Sequence, residues 1–471
     1  MKLRDLANVD SKSEVTGFAI DHRRVAKGSI FGAFRGAVFN GEEFIEQAIA
    51  RGAVAIVALP KAEVEGVPLI GDDNPRRRFA ELAAKFYEPY PENVVAVTGT
   101  NGKTSTVEMT RQIWRMTGHR SASIGTLGVT TSDDQVKTGL TTPDIVTFLS
   151  NMTGLKRMGI SHVAYEASSH GLDQHRAEGV PLAAAAFTNF SRDHLDYHPS
   201  MDAYFEAKMR LFDEVIEPGR IAVIWTDDAK SDEVIERAKK RGLRLMTVGR
   251  KGETIRLVEQ TPTALGQSLI LEHEGKEHRL ALPLIGAYQA SNVMTAAALV
   301  LATDAEWRAV FSAMGRVAPV RGRLERAVIS RAGAPVYVDY AHTPDALEAA
   351  IMALKPHVEG KLIIVFGAGG DRDQGKRAPM GEVAMRLADV AIVTDDNPRG
   401  EDPAKIRADI MAGAPGAIEV AGRKDAIARA LEMASSGDIV LLAGKGHETG
   451  QIVGTKVLPF DDALVARECA A

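Results

Sequence analysis

The sequence predicts an α/β protein of three domains with mainly parallel sheets. Short runs of β-branched residues alternate with longer helical patterns along nearly the whole chain, which is typical of βαβ units. A length of 471 residues exceeds what one hydrophobic core ordinarily holds. Residues 87–93 carry two prolines after a helical stretch, and residues 317–322 follow an alanine-rich helical region. These two breaks predict domains at residues 1–88, 89–316 and 317–471.

The composition limits which cellular compartment and which classes of binding partner we expect. Hydrophobic residues make up 45% and charged residues 25% of the chain, and the formal net charge is −5. Without a basic excess to neutralise phosphates, nucleic acid is not expected as the main partner. The one cysteine, Cys469, excludes an internal disulfide and a thiolate zinc site. The N-terminus lacks an apolar signal region, and no apolar run reaches the roughly 18 residues of a membrane span. We therefore expect a cytoplasmic protein without membrane insertion.

Residues 94–104 predict a phosphate-binding loop. The segment Val-Val-Ala-Val-Thr-Gly-Thr-Asn-Gly-Lys-Thr is an apolar strand that enters a glycine-containing turn and is followed by a helical pattern. Backbone N–H groups and a helix N-terminus can then cradle phosphates, with Lys103 on the β- and γ-phosphates and the Thr104 hydroxyl on Mg²⁺. An ordinary strand-to-helix turn is the alternative, which Gly-Lys-Thr directly after a strand disfavours. The predicted nucleotide-binding residues of the loop are Thr100, Asn101, Gly102, Lys103, Thr104, Ser105 and Thr106.

Three further residues of the central region are candidates for metal or phosphate chemistry. Glu166 ends an apolar strand, where a carboxylate can bind Mg²⁺, although such residues are often only helix caps. His194 lies in a cluster of Asp and His residues at 193–198 and offers a neutral nitrogen ligand. Lys208 lies on a helical pattern among apolar residues, and its alternative is a solvated lysine on a helix face.

Four segments together resemble the UDP-N-acetylmuramoyl-tripeptide synthetases of the Mur ligase family. They are Thr-Gly-Thr-Asn-Gly-Lys-Thr, Glu-Ala-Ser-Ser-His-Gly-Leu, Asp-His-Leu-Asp-Tyr-His and Tyr-Phe-Glu-Ala-Lys. The loop is shorter than the usual phosphate-binding motif, with Val97 where a glycine is expected, and this form resembles that superfamily. The resemblance implies a central P-loop ATPase domain in which Glu166 and His194 bind Mg²⁺. It also implies that CO₂ carbamylates Lys208, creating an anion that supports a second Mg²⁺, which burial would favour by lowering the lysine pKa.

The resemblance also implies where the UDP-linked muramoyl peptide binds. Thr141 and Thr142 precede a predicted helix, and the alternative for them is a helix cap. In the first domain, UDP contacts are expected near Ile20, His22 and residues 37–39, where His22 replaces the serine that the family usually has. The peptide contacts expected in the central domain are Thr141, Thr142, Ser168, Gln174 and Arg176. Asn292 is expected to contact adenine, with a simple helix cap as its alternative.

The third domain is predicted to be a Rossmann-like parallel sheet domain in which ligands collect at the strand ends. Four apolar strands, at 336–338, 362–366, 390–393 and 439–443, each run into a polar loop. The glycines at 367–370 lack the full dinucleotide-binding pattern, which excludes a nicotinamide dehydrogenase. By resemblance, Arg323 is expected on phosphate and Asp339 on ribose. The expected diaminopimelate contacts are Arg372, Asp396, Asn397, Pro398, Arg399, Gly444 and Glu448.

The resemblance as a whole implies an ATP-dependent amide ligase of peptidoglycan synthesis. It would add meso-diaminopimelate to UDP-N-acetylmuramoyl-L-alanyl-D-glutamate through an acyl phosphate, with Mg²⁺ as cofactor and the chain acting as a monomer. Three alternatives stay open: a folylpolyglutamate synthetase, a lysine-adding muramoyl ligase, and a P-loop regulatory or motor NTPase without an acyl substrate. Phosphate release that depends on an amino acid would distinguish a ligase from the last of these.

Overall fold

The computed structural model describes residues 1–36, 40–263 and 266–470. The N-terminal part is a four-stranded parallel sheet in the order β1-β2-β3-β4, with helices packed on it. Its elements are α1 (Leu3–Ala7), β1 (Gly17–Ala19), β2 (Ser29–Gly32), α2 (Ile45–Ala50), β3 (Ala55–Ala58), β4 (Leu69–Gly71) and α3 (Pro75–Tyr87), with short 3₁₀ turns at His22–Arg24 and Gly41–Phe44.

Helix α3 packs against both the first sheet and the central domain. The side chain of Asn74 caps it by accepting from the backbone N–H of Arg77 at 3.1 Å, and Pro75 occupies its first turn. Phe79 and Leu82 are fully buried in a hydrophobic cluster that also contains Phe18 of the first sheet and Met152 of the central domain. The first sheet and the central domain are therefore joined by a continuous core through α3.

The central domain is an eleven-stranded sheet whose middle strands are parallel. The strand order is β15-β14-β13-β12-β11-β10-β5-β9-β6-β7-β8, with antiparallel pairs from β13 to β15 and from β6 to β8. The elements are β5 (Asn93–Thr98), α4 (Lys103–Met116), β6 (Ser121–Gly125), β7 (Gly128–Thr130), β8 (Gln135–Val136), α5 (Ile145–Arg157), β9 (His162–Glu166), α6 (Ser169–Asp173), β10 (Ala184–Phe187), α7 (Met201–Arg210), continued by a π-helical turn (Leu211–Val215), β11 (Ile221–Trp225), α8 (Ser231–Lys240), β12 (Arg244–Gly249), β13 (Ile255–Thr263), β14 (Gly266–His273), β15 (Lys276–Leu282), α9 (Tyr288–Leu301) and α10 (Trp307–Met314).

Strands β9, β5 and β10 are neighbours in this sheet and all run in the same direction. Their carboxyl ends therefore meet at one edge, which is where ligands bind in open parallel sheets. The phosphate-loop segment, Glu166 and the segment after Phe187 all leave the sheet there.

The C-terminal part is a six-stranded sheet in the order β16-β17-β21-β18-β19-β20, parallel except for the β16–β17 pair. A separate antiparallel hairpin is formed by β22 and β23. The elements are β16 (Glu325–Ile329), β17 (Pro335–Asp339), α11 (Pro344–Leu354), a 3₁₀ turn (Lys355–His357), β18 (Leu362–Phe366), a 3₁₀ turn (Gln374–Lys376), α12 (Arg377–Leu387), β19 (Val390–Val393), α13 (Pro403–Met411), β20 (Ile418–Glu419), α14 (Arg423–Met433), β21 (Ile439–Ala443), β22 (Gly450–Val453), β23 (Lys456–Pro459) and α15 (Asp462–Ala470).

A buried ion pair fixes the end of strand β21. Arg423 and Asp462 are fully buried, and the guanidinium donates from Nε and Nη2 to the two carboxylate oxygens at 2.7 and 2.6 Å. Arg423 also donates to the carbonyl of Ala443 at 2.8 Å. Because this two-point pairing satisfies both charges, it ties α14 and α15 to the strand that leads into Gly444.

The predicted α/β class with parallel sheets in several domains is confirmed. The sequence did not predict the antiparallel strands β13 to β15 or the edge pairing of β16 with β17. No helix within residues 1–36, 40–263 and 266–470 is both long and apolar enough to cross a membrane.

Candidate active site

The phosphate loop, residues 99–104, connects β5 to α4 and depends on two glycines. Gly99 has a φ of 141° and Gly102 a φ of 84°, both in the region that favours glycine. A Cβ atom at Gly99 would collide with the hydroxyl of Thr188, and one at Gly102 would collide with the side-chain oxygen of Asn292. The loop is therefore packed against two other segments and leaves no room for side chains at either position.

Lys103 is the first residue of α4 and turns back over the loop. Its Nζ atom donates to the carbonyls of Gly99 at 2.9 Å and Thr100 at 2.8 Å. Burial lowers the pKa of Lys103, and the nearby carboxylate of Glu166 opposes that shift. The ammonium group is thus held at the mouth of the loop, where an anionic ligand would compensate its desolvation.

Glu166, at the end of β9, is buried and serves no helix as a cap. Its carboxylate accepts from the Thr104 hydroxyl at 3.1 Å and from the backbone N–H and hydroxyl of Thr126 at 2.7 and 3.1 Å. The cap of α6 is Ser168, whose hydroxyl accepts from the N–H of Gly171. Burial raises the pKa of Glu166. The helix-cap alternative for Glu166 is therefore wrong.

His194 is held neutral beside the phosphate loop. It has a φ of 54°, and its ring lies 4.9 Å from the ring of His170. Burial lowers the pKa of His194 to about 3, although Asp193, 3.5 Å from its Nε2 atom, opposes the shift. A neutral imidazole keeps a lone pair that can bind a metal ion.

Lys208 is buried, with only 1% of its surface exposed, so the alternative of a solvated helix-face lysine is wrong. Its Nζ atom donates to the carbonyl of Gly99 at 2.7 Å and lies 4.3 Å from the centre of the Tyr204 ring. Burial lowers the pKa of Lys208 well below its usual value, and the charge of Lys103 lowers it further. A neutral amine is therefore accessible at this position.

These groups line one cavity of about 330 Å³, here called the central cavity. Residues of both the central and the third domain form its walls. The predicted site residues that line it are Thr100, Asn101, Gly102, Lys103, Thr104, Ser105, Thr141, Glu166, Ser168, His194, Lys208, Asn292, Arg323 and Asp339. Thr106 does not line it and is completely buried inside α4.

Asn292, Arg323 and Asp339 also line the central cavity, and the first two contact the phosphate loop. Asn292 is the fifth residue of α9 and donates to Gln289 at 3.0 Å, so it is not a helix cap. Arg323 donates from Nη2 to the Thr104 hydroxyl at 3.1 Å. Asp339 accepts from the N–H groups of Leu324 at 2.7 Å and Ala341 at 2.8 Å, and burial raises its pKa to about 6.

Several lining residues were not among the predicted site residues: Thr126, Tyr288, Tyr340 and His342. Tyr340 and His342 lie in the Asp-Tyr-Ala-His-Thr-Pro loop after β17, so the strand-end rule could have identified them. Thr126 follows β6, which ends at Gly125, and the sequence has no separate signal for its contact with Glu166.

Thr141 and Thr142 connect the central cavity to the segment after Glu166. The Thr141 and Thr126 hydroxyls lie 3.1 Å apart. Thr142 donates to the carbonyl of Glu166 at 2.7 Å, and its hydroxyl lies 2.9 Å from that of Ser168. The following helix, α5, is capped by Asp144 and not by either threonine, so the cap alternative is wrong.

A second cavity of about 560 Å³, here called the outer cavity, lies where the first domain meets the central one. Ile20, His22 and Gln174 line it. The His22 ring stacks parallel on the ring of Phe44 with centres 4.3 Å apart. Arg176 donates to Gln174 at 2.7 and 3.1 Å and to the carbonyl of Thr142 at 3.2 Å, which links the two cavities. The expected contacts at residues 37–39 lie outside the described residues.

The third-domain loops bring together Asp396, Asn397 and Glu448 around a buried lysine. The Nζ atom of Lys445 lies 2.9 Å from Glu448, 3.2 Å from the Asn397 side-chain oxygen and 3.5 Å from Asp396. Asn397 donates to Glu448 at 2.8 Å. A Cβ atom at Gly444, which has a φ of 111°, would lie 3.1 Å from the Asp396 carboxylate. One cation thus faces two carboxylates, which leaves negative charge for a cationic ligand group.

Arg399 and Arg372 flank Gly369 beside this cluster. A Cβ atom at Gly369 would lie 2.8 Å from Nη1 of Arg399 and 3.7 Å from Cγ of Arg372. Arg399 follows Pro398, has a φ of 51°, and its Nη1 atom donates to the carbonyl of Gly370 at 3.0 Å. No carboxylate of the described ranges forms an ion pair with either arginine. Both guanidinium groups can therefore receive a carboxylate.

Mg²⁺ fits the donors of the central cavity. It prefers oxygen ligands and is commonly bound by one or two carboxylates together with phosphate oxygens and water. The Thr104 hydroxyl and the Glu166 carboxylate supply such oxygens side by side. Groups of three or more His, Cys, Asp or Glu side chains that could hold a metal by themselves are absent from the part of the chain that the structure describes. An ion here would need the oxygens of a bound phosphate.

Known proteins share this architecture along nearly the whole chain. Residues 97–300 match the Mur ligase middle domain, and residues 322–446 match the Mur ligase glutamate ligase domain. A UDP-N-acetylmuramoyl-L-alanyl-D-glutamate--2,6-diaminopimelate ligase of Zymomonas mobilis is 58% identical over 96% of this chain and 94% of its own length. The ligase of that name from Bradyrhizobium diazoefficiens is 50% identical over 98% and 97%.

A solved structure of a UDP-N-acetylmuramoyl-L-alanyl-D-glutamate--2,6-diaminopimelate ligase has the same fold. It is 31% identical, covers 100% of this chain and 98% of its own, and superposes with a TM-score of 0.73. The two relatives and the solved structure match 96–100% of this chain and so include all three domains. The chain therefore belongs to the Mur ligase family, in the group that includes these 2,6-diaminopimelate ligases.

Proposed function

We propose that the protein is an ATP-dependent ligase that joins meso-diaminopimelate to UDP-N-acetylmuramoyl-L-alanyl-D-glutamate in peptidoglycan synthesis. The observation that carries this proposal is the central cavity, where Lys103 and Thr104 of the phosphate loop face Arg323 from the third domain. Full-length relatives at 58% and 50% identity carry the name of this ligase and support the choice of substrates.

The reaction would proceed in two steps. A carboxylate oxygen of the D-glutamyl residue attacks the γ-phosphorus of ATP, so that ADP leaves and an acyl phosphate forms. The amine of diaminopimelate then attacks the acyl carbon, phosphate leaves with the C–O electron pair, and the nitrogen loses a proton. Lys103 and Arg323 are positioned to neutralise charge on the transferring phosphoryl group. Mg²⁺ held by Thr104 and Glu166 would supply further charge neutralisation on the phosphates when bound.

Exclusion of water is the second task of the site. Water that reached the acyl phosphate would hydrolyse it, so ligation requires a cavity closed on several sides. Asp339 and Tyr340 of the third domain line the same cavity as the phosphate loop. The third domain would thus close the central cavity, and its own loops would bind the amino acid that supplies the amine.

Lys208 is proposed to work as a carbamate. Its neutral amine would attack the carbon of CO₂ and lose a proton, which converts a buried neutral group into an anion. Burial and the adjacent charge of Lys103 both favour the neutral amine that this reaction needs. The anion would lie beside Gly99 and could support a second Mg²⁺ together with His194.

Diaminopimelate is proposed to bind at the third-domain loops. Its far end carries one carboxylate and one ammonium group. No described carboxylate pairs with Arg399 or Arg372, so their guanidinium groups can bind the substrate carboxylate, and Asp396 and Glu448 can bind the ammonium group. If lysine bound here in place of diaminopimelate, Arg399 and Arg372 would have no substrate carboxylate to bind.

The proposal includes a reaction in the cytoplasm, because ATP and UDP-linked precursors are cytoplasmic compounds. It also includes that the protein acts as a monomer. The experiment that tests the function measures phosphate release with ATP, the UDP-linked dipeptide and a panel of amino acids. Release is expected with diaminopimelate and not with lysine or glutamate. Release without any amino acid would favour a regulatory or motor NTPase, and release with glutamate only when a folate replaces the dipeptide would favour a folylpolyglutamate synthetase.

A further inference from the structure

Arg76 presents an unpaired guanidinium group to the outer cavity. It is the second residue of α3, and it lines the cavity together with His22 and Gln174. Its Cζ atom lies 4.8 Å from the centre of the Phe34 ring, so the group is stacked and half-buried. None of the described residues forms a salt bridge or a side-chain hydrogen bond with it.

Arg77 and Arg78, in the same turn of the helix, differ from Arg76 because each lies near a carboxylate. Arg78 pairs with Glu81 at 3.2 Å, and Arg77 lies 3.8 Å from the same carboxylate. Arg77 is exposed, whereas Arg76 faces into the cavity. The three consecutive arginines are therefore not equivalent, and Arg76 alone combines burial with the absence of a carboxylate in the described structure.

Arg176 supplies a second cation close to Arg76. Within the described part of the chain, its guanidinium donates to neutral oxygens alone, those of Gln174 and Thr142. Burial lowers the pKa of both arginines, and the charge of Arg76 lowers that of Arg176 further. Asp173 and Tyr197 oppose the shift at Arg76, but the Asp173 carboxylate already accepts from the Tyr197 hydroxyl at 2.6 Å. Two partly desolvated cations thus lie close enough for their charges to repel, one lining the outer cavity and one beside its Gln174 wall, and an anionic ligand would stabilise this arrangement.

We propose that Arg76 binds the diphosphate of the UDP-linked substrate, as a second cation beside Arg176. The proposal rests on the proposed function, because it takes the substrate class from there. A guanidinium group offers planar paired donors that match phosphate oxygens, and two arginines balance the two charges of a bridging diphosphate.

The position between the cavities fits this part of the substrate. Gln174 lines the outer cavity, and Arg176 reaches Thr142, whose hydroxyl donates to the carbonyl of Glu166 at the central cavity. A ligand whose acyl end lies in the central cavity and whose nucleoside lies in the outer cavity places its diphosphate between them. Arg76 would then strengthen binding at the diphosphate, remote from the acyl group that reacts in the central cavity.

The test compares the binding of UDP and uridine to the full-length protein by calorimetry, with a non-hydrolysable ATP analogue filling the ATP site. In Arg76→Met, UDP affinity is expected to fall about 10- to 100-fold, the loss of a hydrogen-bonded charge pair, while uridine affinity stays within about twofold. The KM for the UDP-linked dipeptide rises by a similar factor with kcat and the KM for diaminopimelate unchanged. Arg76→Lys recovers part of the UDP affinity, and Arg77→Met is the matched control on the same helix.

Three results would overturn the proposal: Arg76→Met binding UDP like the wild type, equal losses for UDP and uridine, or a wild type that binds UDP no tighter than uridine. The second of these would indicate a merely structural arginine. Absence of ligation by the wild type with diaminopimelate would contradict the proposed function instead, while the difference between UDP and uridine still reports on Arg76.

Discussion

Arg323 of the third domain and Thr104 of the phosphate loop are joined by a hydrogen bond of 3.1 Å between Nη2 and the hydroxyl oxygen. The same guanidinium group lies 4.7 Å from the centre of the Tyr340 ring. Tyr340 follows β17 of the third domain and Thr104 lies in α4 of the central domain, and both line the central cavity, so Arg323 joins the two domains at its wall. The wall of the central cavity is therefore complete only when the third domain is docked on the central one.

Replacing Lys103 by alanine is expected to abolish ligation without unfolding the protein. The ammonium group contacts two loop carbonyls and contributes little to the apolar core, so its loss removes phosphate neutralisation and leaves packing intact. Phosphate release and a thermal melt measure the two effects, with the exposed Lys85→Ala as control. Activity of Lys103→Ala above about a tenth of wild type would contradict the assignment of the phosphate loop.

Lys208→Ala is expected to be nearly inactive and to regain part of its activity with formate, acetate or propionate. The added acid would supply the anion that the carbamate provides, in the space that the side chain leaves. Ligation is measured against the concentration of each acid, with Lys103→Ala as a variant that carboxylates cannot rescue. Full activity of Lys208→Ala without added acid would rule out the carbamate, and failure of all three acids would count against it.

Arg399 is expected to select diaminopimelate over lysine. Among the described residues its guanidinium donates only to backbone carbonyls, so a lysine substrate leaves a half-buried charge without a carboxylate partner. Selectivity of roughly 100-fold in kcat/KM is expected for the wild type, and Arg399→Ala should lose most of it. Arg429→Ala, at an exposed helix position in the same domain, is the control. If Arg399→Ala kept the wild-type ratio of the two kcat/KM values, another residue would set the specificity.

Glu401 is expected to stabilise the third domain in a pH-dependent manner. It accepts from both Nη atoms of the buried Arg377, at 2.8 and 3.0 Å, and from the N–H of Asp371. The Arg377 hydrogen bonds lower the pKa of Glu401 from 4.5 to about 2. Because the folded pKa lies below the unfolded one, the stabilisation is complete above pH 4.5 and is lost as the pH falls towards 2.

The measurement compares urea unfolding of the wild type and Glu401→Gln. At pH 7 the variant should be less stable by about 1 to 3 kcal/mol, since a charged acceptor is removed from a buried donor. The difference should narrow as the pH is lowered below 4.5. Glu432→Gln, which alters an exposed pair with Arg429, should show little difference at any pH. A gap that stayed constant from pH 7 to pH 3 would show that the charge of Glu401 is not what stabilises the domain.

Local sequence signals were sufficient for the strand, loop and helix around residues 94–104 and for four strands of the third domain. Residues Gly99 to Thr104 combine a strand end, two glycines and a lysine. Each of these features can be recognised from the local sequence alone. The strands β17, β18, β19 and β21 are continuous apolar runs followed by polar loops, which is how buried parallel strands appear in a sequence. Their convergence at one edge follows from parallel pairing alone.

Burial of charged side chains could not be predicted in this way. Lys208 and Lys445 look like ordinary lysines in the sequence, and only packing from distant segments makes them buried. Arg76 is one of three consecutive arginines, and which of them faces a cavity depends on how α3 is rotated against the first sheet. The β13 to β15 strands were missed because their alternation is irregular and interrupted by a bulge near Leu257.

The shared core of α3 has a consequence for recombination between members of the family. Phe79 packs edge-on against Phe18 of the first sheet at 5.2 Å, while Thr153 of α5 donates to the carbonyl of Tyr87 at the end of α3. A chimera joined after residue 88 would therefore pair one parent's α3 with the other parent's α5. A crossover before Pro75 instead keeps α3 with the central domain but pairs its Phe79 with the other parent's Phe18. A functional chimera therefore needs matched residues on α3 and on whichever neighbour, the first sheet or α5, comes from the other parent.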